Sequence, residues 1–500
     1  MNCHKARPVS GLLGVFVVLF AASFAYGGDH FLTIGGGDTP ANNQVSLEKN
    51  VLFFHRLLTE TEGKDVPQDV LFSDGAGKTR DLQMLAPDDP PRINLLLARV
   101  FAGESELAFR FRPHDIPGVR GSSTRRGLEE WFNTTGAKLG EDDRLFIYFT
   151  GHGGAGNPAQ NTTLSMWCER PLTVTDFTKL LDKISPKTQV VLIMVQCHSG
   201  GFANVIFKEG KPGPVLSPAR RCGFFATTFD RNAAGCTPDT VEEDYKDYST
   251  YFFAALGGKT RTGKRVEGCD LDGDGRVSLA EAHAHVLLHS DTIDIPVMTS
   301  DEFLRQFSKI SGESLIAVEA PYNELLEHAT PMQRIVLEGL SKELGLTTQG
   351  RATEALHLAE ILEAQRKTAE NETRKHNDER GNLARDIRSR LLRRWPELSN
   401  AWHPRVAELM QKEGPEIQHA IESDSAYPRW EIVRREADDF DEKAMVLERR
   451  WVKCKRFTRT LKTVALAANL EKVASPEVVE RYRQILADES GTLGRASEGK

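Results

Sequence analysis

The chain has 500 residues, of which 40% are apolar and 27% are charged, as is typical of soluble globular proteins. Its formal charge of −7 at pH 7 is small for this length, and no segment carries the dense basic charge that nucleic-acid binding needs. The composition therefore indicates a globular protein of two or three domains and excludes nucleic acid as an expected partner.

The first 25 residues have the three parts of a secretory signal peptide. "MNCHKARP" carries positive charge, "GLLGVFVVLFAASFA" is apolar, and Ser23-Phe24-Ala25 offers small residues at a cleavage position. An uncleaved membrane anchor is the alternative, but the apolar run is short for a bilayer span. We therefore expect residues 1–25 to be removed, and the mature protein to be secreted or periplasmic without further membrane contact.

Six cysteines remain after that cleavage, and their spacing matches no familiar disulfide framework. They are Cys168, Cys197, Cys222, Cys236, Cys269 and Cys454. Their pairing stays open at the level of the sequence.

Residues 28–300 alternate short apolar runs with helical patterns. "HFLTIGGG", "DVLFSD", "RLFIYFTGHGG" and "TQVVLIMVQCHSGG" predict strands, whereas "VSLEKNVLFFHRLLTE" and "TVTDFTKLLDKI" predict helices. The runs "FIYF" and "VVLIMV" are continuously apolar, as expected of strands that are covered on both faces. The pattern predicts an α/β domain with a mainly parallel sheet.

The remainder of the chain has a different character. We interpret residues 301–329 as a linker, residues 330–490 as an α-helical domain, and residues 491–500 as a flexible tail. The helical domain carries an apolar stripe typical of a coiled-coil-like hairpin, formed by Phe440, Ala444, Leu447, Trp451, Cys454, Leu461 and Ala465. Its expected role is structural, and a protein partner of this domain is the alternative.

A histidine and a cysteine follow two successive strands of the predicted sheet. His152 comes directly after the first strand, and Cys197 ends the second. Parallel strands joined by a helix usually lie side by side, about 4.8 Å apart, with their carboxyl ends at one edge. Because open α/β sheets place their sites at that edge, we expect the two side chains to form a site there.

This pair is suited to acyl transfer by a thiol. A cysteine that loses its proton to an imidazole attacks a carbonyl carbon, and the backbone N–H groups of Gly153 and Cys197 are candidates for stabilising the oxyanion. A buried structural cysteine is the alternative. His198 is a poorer base, because adjacent strand side chains point to opposite faces. Ser199 does not fit a nucleophile elbow, because Cys197 occupies a position where that motif has glycine.

At these residues the chain resembles caspase-like cysteine peptidases. "FIYFTGHGG" and "VQCHSGGF" are similar to their histidine and cysteine blocks, and "GHG" with "CHSG" is similar to metacaspases. Over residues 30–260 the chain is closest to legumains, through "LFIYFTGHG" and "FFATTFDRNAAGC". The resemblance implies a caspase-like sheet sandwiched by helices and activity towards peptide bonds. It makes His152 the general acid/base and Cys197 the nucleophile, with Asn43 nearest to the asparagine that steadies the histidine.

Residues 270–281 match an EF-hand calcium loop. The candidate ligands are Asp270, Asp272, Asp274, the carbonyl oxygen of Arg276, Ser278 and Glu281. Gly275 stands where the loop turns sharply. An acidic, glycine-rich turn without a metal is the alternative. The preceding "GGKTRTGKRVEG" predicts no entering helix, so we expect a structural Ca²⁺ site rather than a sensor, and no catalytic metal.

The legumain resemblance also implies a specificity pocket made of an arginine, an acid two residues before the nucleophile, and a later aspartate. Here "NNQVSLE" offers no arginine, Val195 replaces the first acid, and only Asp247 in "YKDYS" is retained. An unpaired carboxylate in a cleft favours a cation, which predicts cleavage after arginine or lysine. The alternative is that Asp247 is a solvated loop charge and that an uncharged pocket selects small or apolar residues.

These observations favour an exported cysteine endopeptidase that acts on protein or peptide substrates. Two alternatives stay open at this level. One is a non-catalytic, calcium-binding scaffold with a caspase-like fold, and the other is a transpeptidase that passes the same acyl-enzyme to an amine.

Overall fold

The computed structural model describes residues 27–63, 66–86, 90–101, 109–400 and 402–494. The predicted signal peptide lies outside these ranges, as do the last six residues of the predicted tail. The strands within the described residues are β1 (Asp29–Gly36), β2 (Gln68–Phe72), β3 (Leu82–Leu85), β4 (Phe109–Arg112), β5 (Val119–Gly121), β6 (Arg144–Gly151), β7 (Gly153–Gly154), β8 (Thr163–Met166), β9 (Glu169–Thr173), β10 (Gln189–Met194), β11 (Arg221–Phe225) and β12 (Val297–Met298).

Seven of these strands form the central sheet, in the order β12-β11-β10-β6-β1-β2-β5. All neighbours are parallel except the edge strand β12, which runs antiparallel to β11. A separate three-stranded sheet of β7, β8 and β9 follows directly after β6, and β3 pairs with β4. The predicted α/β class with a mainly parallel sheet is confirmed.

The side chains of β6 alternate between two hydrophobic cores. Ile147 and Phe149 belong to the core on one face, whereas Phe146 and Tyr148 belong to the core on the other. Successive strand residues point to opposite faces, so a strand that is buried on both sides has to be apolar throughout. This is the physical reason for the continuous "FIYF" run.

Helices cover both faces and continue the chain beyond the sheet. They are α1 (Val45–Thr61), α2 (Arg92–Phe101), α3 (Arg125–Thr134), α4 (Val174–Leu181), α5 (Tyr248–Gly257), α6 (Leu279–His289), α7 (Thr299–Phe307), α8 (Tyr322–Glu327), α9 (Pro331–Leu344), α10 (Arg351–Arg394), α11 (Val406–Glu422), α12 (Tyr427–Val473) and α13 (Pro476–Glu489). Residues of α3 and α4 pack in one core, and residues of α1, α5 and α6 pack in the other. Among the described residues, no helix is both long enough and apolar enough to span a bilayer.

The C-terminal region is helical, as predicted, and two of its helices are very long. α10 has 44 residues and α12 has 47, and the two pack along each other as a hairpin. The hairpin also contacts the sheet domain, because α7 and α13 join the C-terminal end of α12 in one buried cluster beside the sheet. Residues 301–329, interpreted above as a linker, include most of α7 and all of α8, and the side chains of Phe303 and Leu304 are fully buried.

The first residues of the predicted tail are held in place. Thr492 pairs with Ser278 across an isolated antiparallel bridge, and its carbonyl oxygen accepts a hydrogen bond from Arg144 at 2.9 Å. The chain end therefore touches both the sheet and the loop that precedes α6.

Candidate active site

His152 and Cys197 follow neighbouring parallel strands, β6 and β10. Phe149 of β6 is paired with Met194 of β10, and each functional residue lies three positions beyond its member of this pair. The strand register therefore brings the two residues to the same level of the sheet's carboxyl edge.

Gly153 lies where the two segments meet. A Cβ added there would be 2.4 Å from the carbonyl oxygen of Cys197 and 2.9 Å from that of Thr163. Contacts this short to backbone atoms would force the backbone to shift, so a side chain at this position would push the histidine and cysteine segments apart. Glycine is thus required for their direct backbone contact.

The residue after the nucleophile adopts a left-handed backbone conformation. His198 has φ 60° and ψ 20°, a region that costs a non-glycine residue about 1 kcal/mol. Two hydrogen bonds hold it there: its N–H donates to the carbonyl of Arg231 at 2.8 Å, and its Nδ1 bonds the carbonyl of Phe229 at 2.7 Å. The imidazole of His198 is therefore tied to the loop after β11, in agreement with the choice of His152 as the base.

The thiol of Cys197 is half-buried and has one close polar partner. Its Sγ accepts a hydrogen bond from the backbone N–H of Ala233 at 3.3 Å. Burial raises the pKa of the thiol above its usual value, as does the nearby carboxylate of Asp294, while the Ala233 N–H acts in the opposite direction. The cysteine therefore rests as a neutral thiol at pH 7 and needs a base to become a nucleophile.

The imidazole of His152 is oriented by two acceptors. Its Nε2 lies 2.8 Å from the backbone carbonyl oxygen of Asn42 and 3.0 Å from Oε1 of Gln44. A carbonyl oxygen only accepts, so Nε2 carries the proton in the neutral ring. Nδ1 consequently holds the lone pair and is the nitrogen that can remove a proton from a thiol.

Asn43 does not steady the histidine. Its Oδ1 accepts a hydrogen bond from the N–H of Gly37, and its Nδ2 donates to the carbonyl of Asp81, both at 3.1 Å. This side chain is fully buried and holds the loop together from inside. The groups that bind the imidazole come instead from the flanking residues of the same "NNQ" stretch, and one of them is a backbone atom that side-chain patterns cannot reveal.

Asp247 is neither an unpaired carboxylate nor a solvated loop charge. It caps the N-terminus of α5, and its Oδ2 lies 3.2 Å from Nη2 of Arg261, with both side chains 2% exposed. The guanidinium also bonds the side chain of Asn50 and lies over the ring of Phe53, 5.0 Å from its centroid. The expectation of an unpaired acid was wrong because Arg261 lies in "GKTRTGKR", a basic run that resembles a solvated turn.

The candidate calcium loop presents three converging carboxylates. Oxygens of Asp270, Asp272 and Asp274 lie within 4.8 Å of one another. α6 follows as an exiting helix, and no helix enters the loop, as expected. Glu281 differs from the expected arrangement, because it forms a capping box with Ser278 and its Oε1 accepts the N–H of Leu271 at 2.6 Å. The three aspartates fit a hard cation, whereas Glu281 is engaged within its own loop.

Residues 129–221 match the family model described as the Peptidase C13 family. This stretch contains both His152 and Cys197. The match points to a cysteine peptidase. No curated protein matches the chain. The chain is similar to the solved structure of protein GSU0716 from Geobacter sulfurreducens, at a TM-score of 0.27 and 11% identity, over 46% of this chain and 80% of that one. A likeness at this level does not establish a shared fold, and the metacaspase-like motifs stay a prediction.

Proposed function

We propose that the protein is an exported cysteine endopeptidase in which Cys197 forms an acyl-enzyme and His152 is the general acid/base. The observation that carries this proposal is the arrangement at the sheet edge. Two parallel strands in register deliver the thiol and the imidazole, and the imidazole is held through Nε2 so that Nδ1 is left as the base. The Peptidase C13 match over the same segment supports it.

In the proposed reaction, Sγ of Cys197 forms a bond to the scissile carbonyl carbon while its proton passes to Nδ1 of His152. The imidazolium is stabilised because Nε2–H continues to donate to the Asn42 carbonyl. The N–H groups of Gly153 and Cys197 are the proposed oxyanion donors. His152 then protonates the leaving amine as the C–N bond breaks. A water molecule deprotonated by His152 attacks the thioester carbon, the C–S bond breaks, and His152 returns the proton to Sγ of Cys197.

Labelling with a peptidyl electrophile tests this proposal. We expect mass spectrometry of the labelled protein to place the adduct on Cys197, and the label to be lost in His152→Ala but retained in Cys168→Ala. Cleavage of a peptide library should show the same dependence. An adduct on another cysteine, or turnover by Cys197→Ala, would contradict the proposed mechanism. An aminolysis product formed with an added amine would instead indicate a transpeptidase.

We also propose that residues 270–281 hold a structural Ca²⁺ ion. Asp270, Asp272 and Asp274 would supply carboxylate oxygens, Arg276 its carbonyl and Ser278 its hydroxyl, while Glu281 would have to give up part of its capping box to bind. The ion would offset the mutual repulsion of three close carboxylates. It would thereby stabilise the loop and the chain end that pairs with Ser278.

We further propose that cleavage does not require a basic residue before the scissile bond. Asp247 already has a buried guanidinium partner, so it offers no free negative charge to a substrate lysine or arginine. A fluorogenic library varied at this substrate position would test this. A basic preference that is lost in Asp247→Asn would restore the original prediction.

A further inference from the structure

Two loops support the thiol of Cys197. The loop after β11 contains Ala233, whose N–H donates to Sγ, and Arg231, whose carbonyl holds the N–H of His198. The loop after α6 contains Asp294, whose Oδ1 accepts the N–H of Ala234 at 2.8 Å. The conformation of the loop after β11 thus depends on the loop after α6, and the two loops together set the direction of the Ala233 N–H.

The first loop is attached to α12 through a charged side chain. The guanidinium of Arg231 pairs with the carboxylate of Glu448 and lies 4.9 Å from the centroid of the Trp451 ring. Glu448 and Trp451 are three residues apart and share one helix face. The other carboxylate oxygen of Glu448 lies 3.0 Å from Nε of Arg366 on α10, so both helices of the hairpin take part.

The second loop is attached to the same face of α12. Arg456, eight residues after Glu448, is 1% exposed and donates to four backbone carbonyls. These are the carbonyls of Leu287 at 3.2 Å, Ser290 at 2.9 Å, Thr292 at 3.4 Å and Asp294 at 2.9 Å. A planar guanidinium that donates to four carbonyls restricts the conformation of the loop. A lysine ammonium, which lacks the planar arrangement of five N–H donors, could not make the same set of hydrogen bonds.

We propose that this face of α12, formed by Glu448, Trp451 and Arg456, positions the nucleophile by keeping the Ala233 N–H directed at the sulfur of Cys197. These are positioning residues, since none of them touches the reacting atoms. An N–H directed at sulfur stabilises the thiolate, so slackening the loop disfavours the form that attacks. The role in peptide hydrolysis rests on the proposed function, whereas the effect on thiol reactivity does not.

The test is the pH dependence of the alkylation rate of Cys197 by iodoacetamide, followed by mass spectrometry of its peptide in the full-length mature chain. In Glu448→Gln we expect the apparent pKa of the thiol to rise by about one unit, which slows alkylation at pH 7 about tenfold. Glu442→Gln, an exposed position on the same helix, is the matched control and should behave like the unmodified protein. Identical profiles for a folded Glu448→Gln and this control would overturn the proposal.

A second variant keeps the test decisive if Glu448→Gln does not fold. Arg231→Gln breaks the same ion pair from the half-exposed loop and leaves Glu448 its contact with Arg366. It should slow alkylation in the same direction, and Arg231→Lys should restore part of the rate. Normal alkylation of wild-type Cys197 without any peptide cleavage would refute the proposed function alone. Unchanged profiles in a variant that still cleaves peptides would refute the positioning role alone.

Discussion

Two regions of the molecule are dense in polar side chains, and they are built in different ways. In loop 270–281 the hydrogen bonds of the carboxylates close within the loop, as when Asp270 accepts the N–H groups of Gly273 and Gly275. At the sheet edge the hydrogen-bond partners are distant in sequence. Gln44, which bonds the imidazole of His152, lies 108 residues before it, and Ala233, which bonds the thiol of Cys197, lies 36 residues after it. A contiguous motif can therefore be recognised in the sequence, but the sequence does not show whether its side chains are free to bind a ligand or are already hydrogen-bonded within the loop. A site assembled from distant segments shows its partners only when folded.

Removing the imidazole of His152 at the sheet edge should have the largest effect, and this effect should be on activity rather than on stability. His152→Ala should lower kcat/KM for peptide cleavage by about 10³-fold, because the thiol rests protonated and loses its base. The melting temperature should change little, since the imidazole is half-buried and its partners can bind water. Cys168→Ala, at an exposed position, is the control. A variant that retains activity would show that Cys197 has another base.

Breaking the buried ion pair between Asp247 and Arg261 should lower the free energy of unfolding. Asp247→Asn leaves the buried guanidinium of Arg261 without its counter-charge, and breaking such pairs typically costs about 3–5 kcal/mol. Urea unfolding would measure this, with Asp244→Asn on the exposed neighbouring segment as the control. A loss below about 1 kcal/mol would mean that the pair exchanges readily with water.

Loop 270–281 should show the reverse of the sheet edge, a change in stability with little change in activity. Ca²⁺ at about 100 times its dissociation constant should stabilise the fold by about 2.7 kcal/mol, which raises the melting temperature by a few degrees. Asp270→Ala should abolish this dependence, and Glu267→Ala, just outside the loop, should retain it. Equal melting temperatures in chelator and in millimolar Ca²⁺ would identify the loop as a turn without metal.

A more gradual effect concerns pH, and it arises from buried acids outside loop 270–281. Burial raises the pKa of Glu489 to about 8 and that of Asp294 to about 7. An acid whose pKa is higher in the folded state contributes most stability below its unfolded pKa, and that contribution is lost as pH rises through its folded pKa. The free energy of unfolding should therefore fall by about 1 kcal/mol per pH unit for each group, from about pH 5 to pH 7 for Asp294 and from about pH 5 to pH 8 for Glu489.

Glu489→Gln tests this directly, because an amide cannot ionise. One oxygen of Glu489 accepts the N–H of Ser300 at 2.9 Å, and the other has no hydrogen-bond partner among the described residues. The variant should flatten the decline in stability above pH 6, as measured by urea unfolding at several pH values. Below about pH 4 the opposite trend is expected. Burial acts to raise the pKa values of Asp143 and Asp176, but hydrogen bonds and cationic partners together outweigh it and lower both pKa values. A slope unaffected by the substitution would assign the pH dependence to other groups.

The sequence by itself determined the α/β class, the strands before His152 and Cys197, and the long C-terminal helices. Each of these follows from a short-range regularity: continuous apolar runs in β6 and β10, a helical repeat in α12, and glycines where two backbones touch. Only the tertiary structure decided what surrounds each functional group. In the folded chain Arg261 pairs with Asp247, and Glu281 accepts hydrogen bonds from its own loop. The imidazole of His152 is bonded by the neighbours of Asn43 rather than by Asn43. Arg456 donates hydrogen bonds to a loop more than 160 residues earlier in the chain. The reason is that a periodic pattern records which side of an element is buried, whereas the partner of a buried charge is chosen by chain segments that meet only after folding.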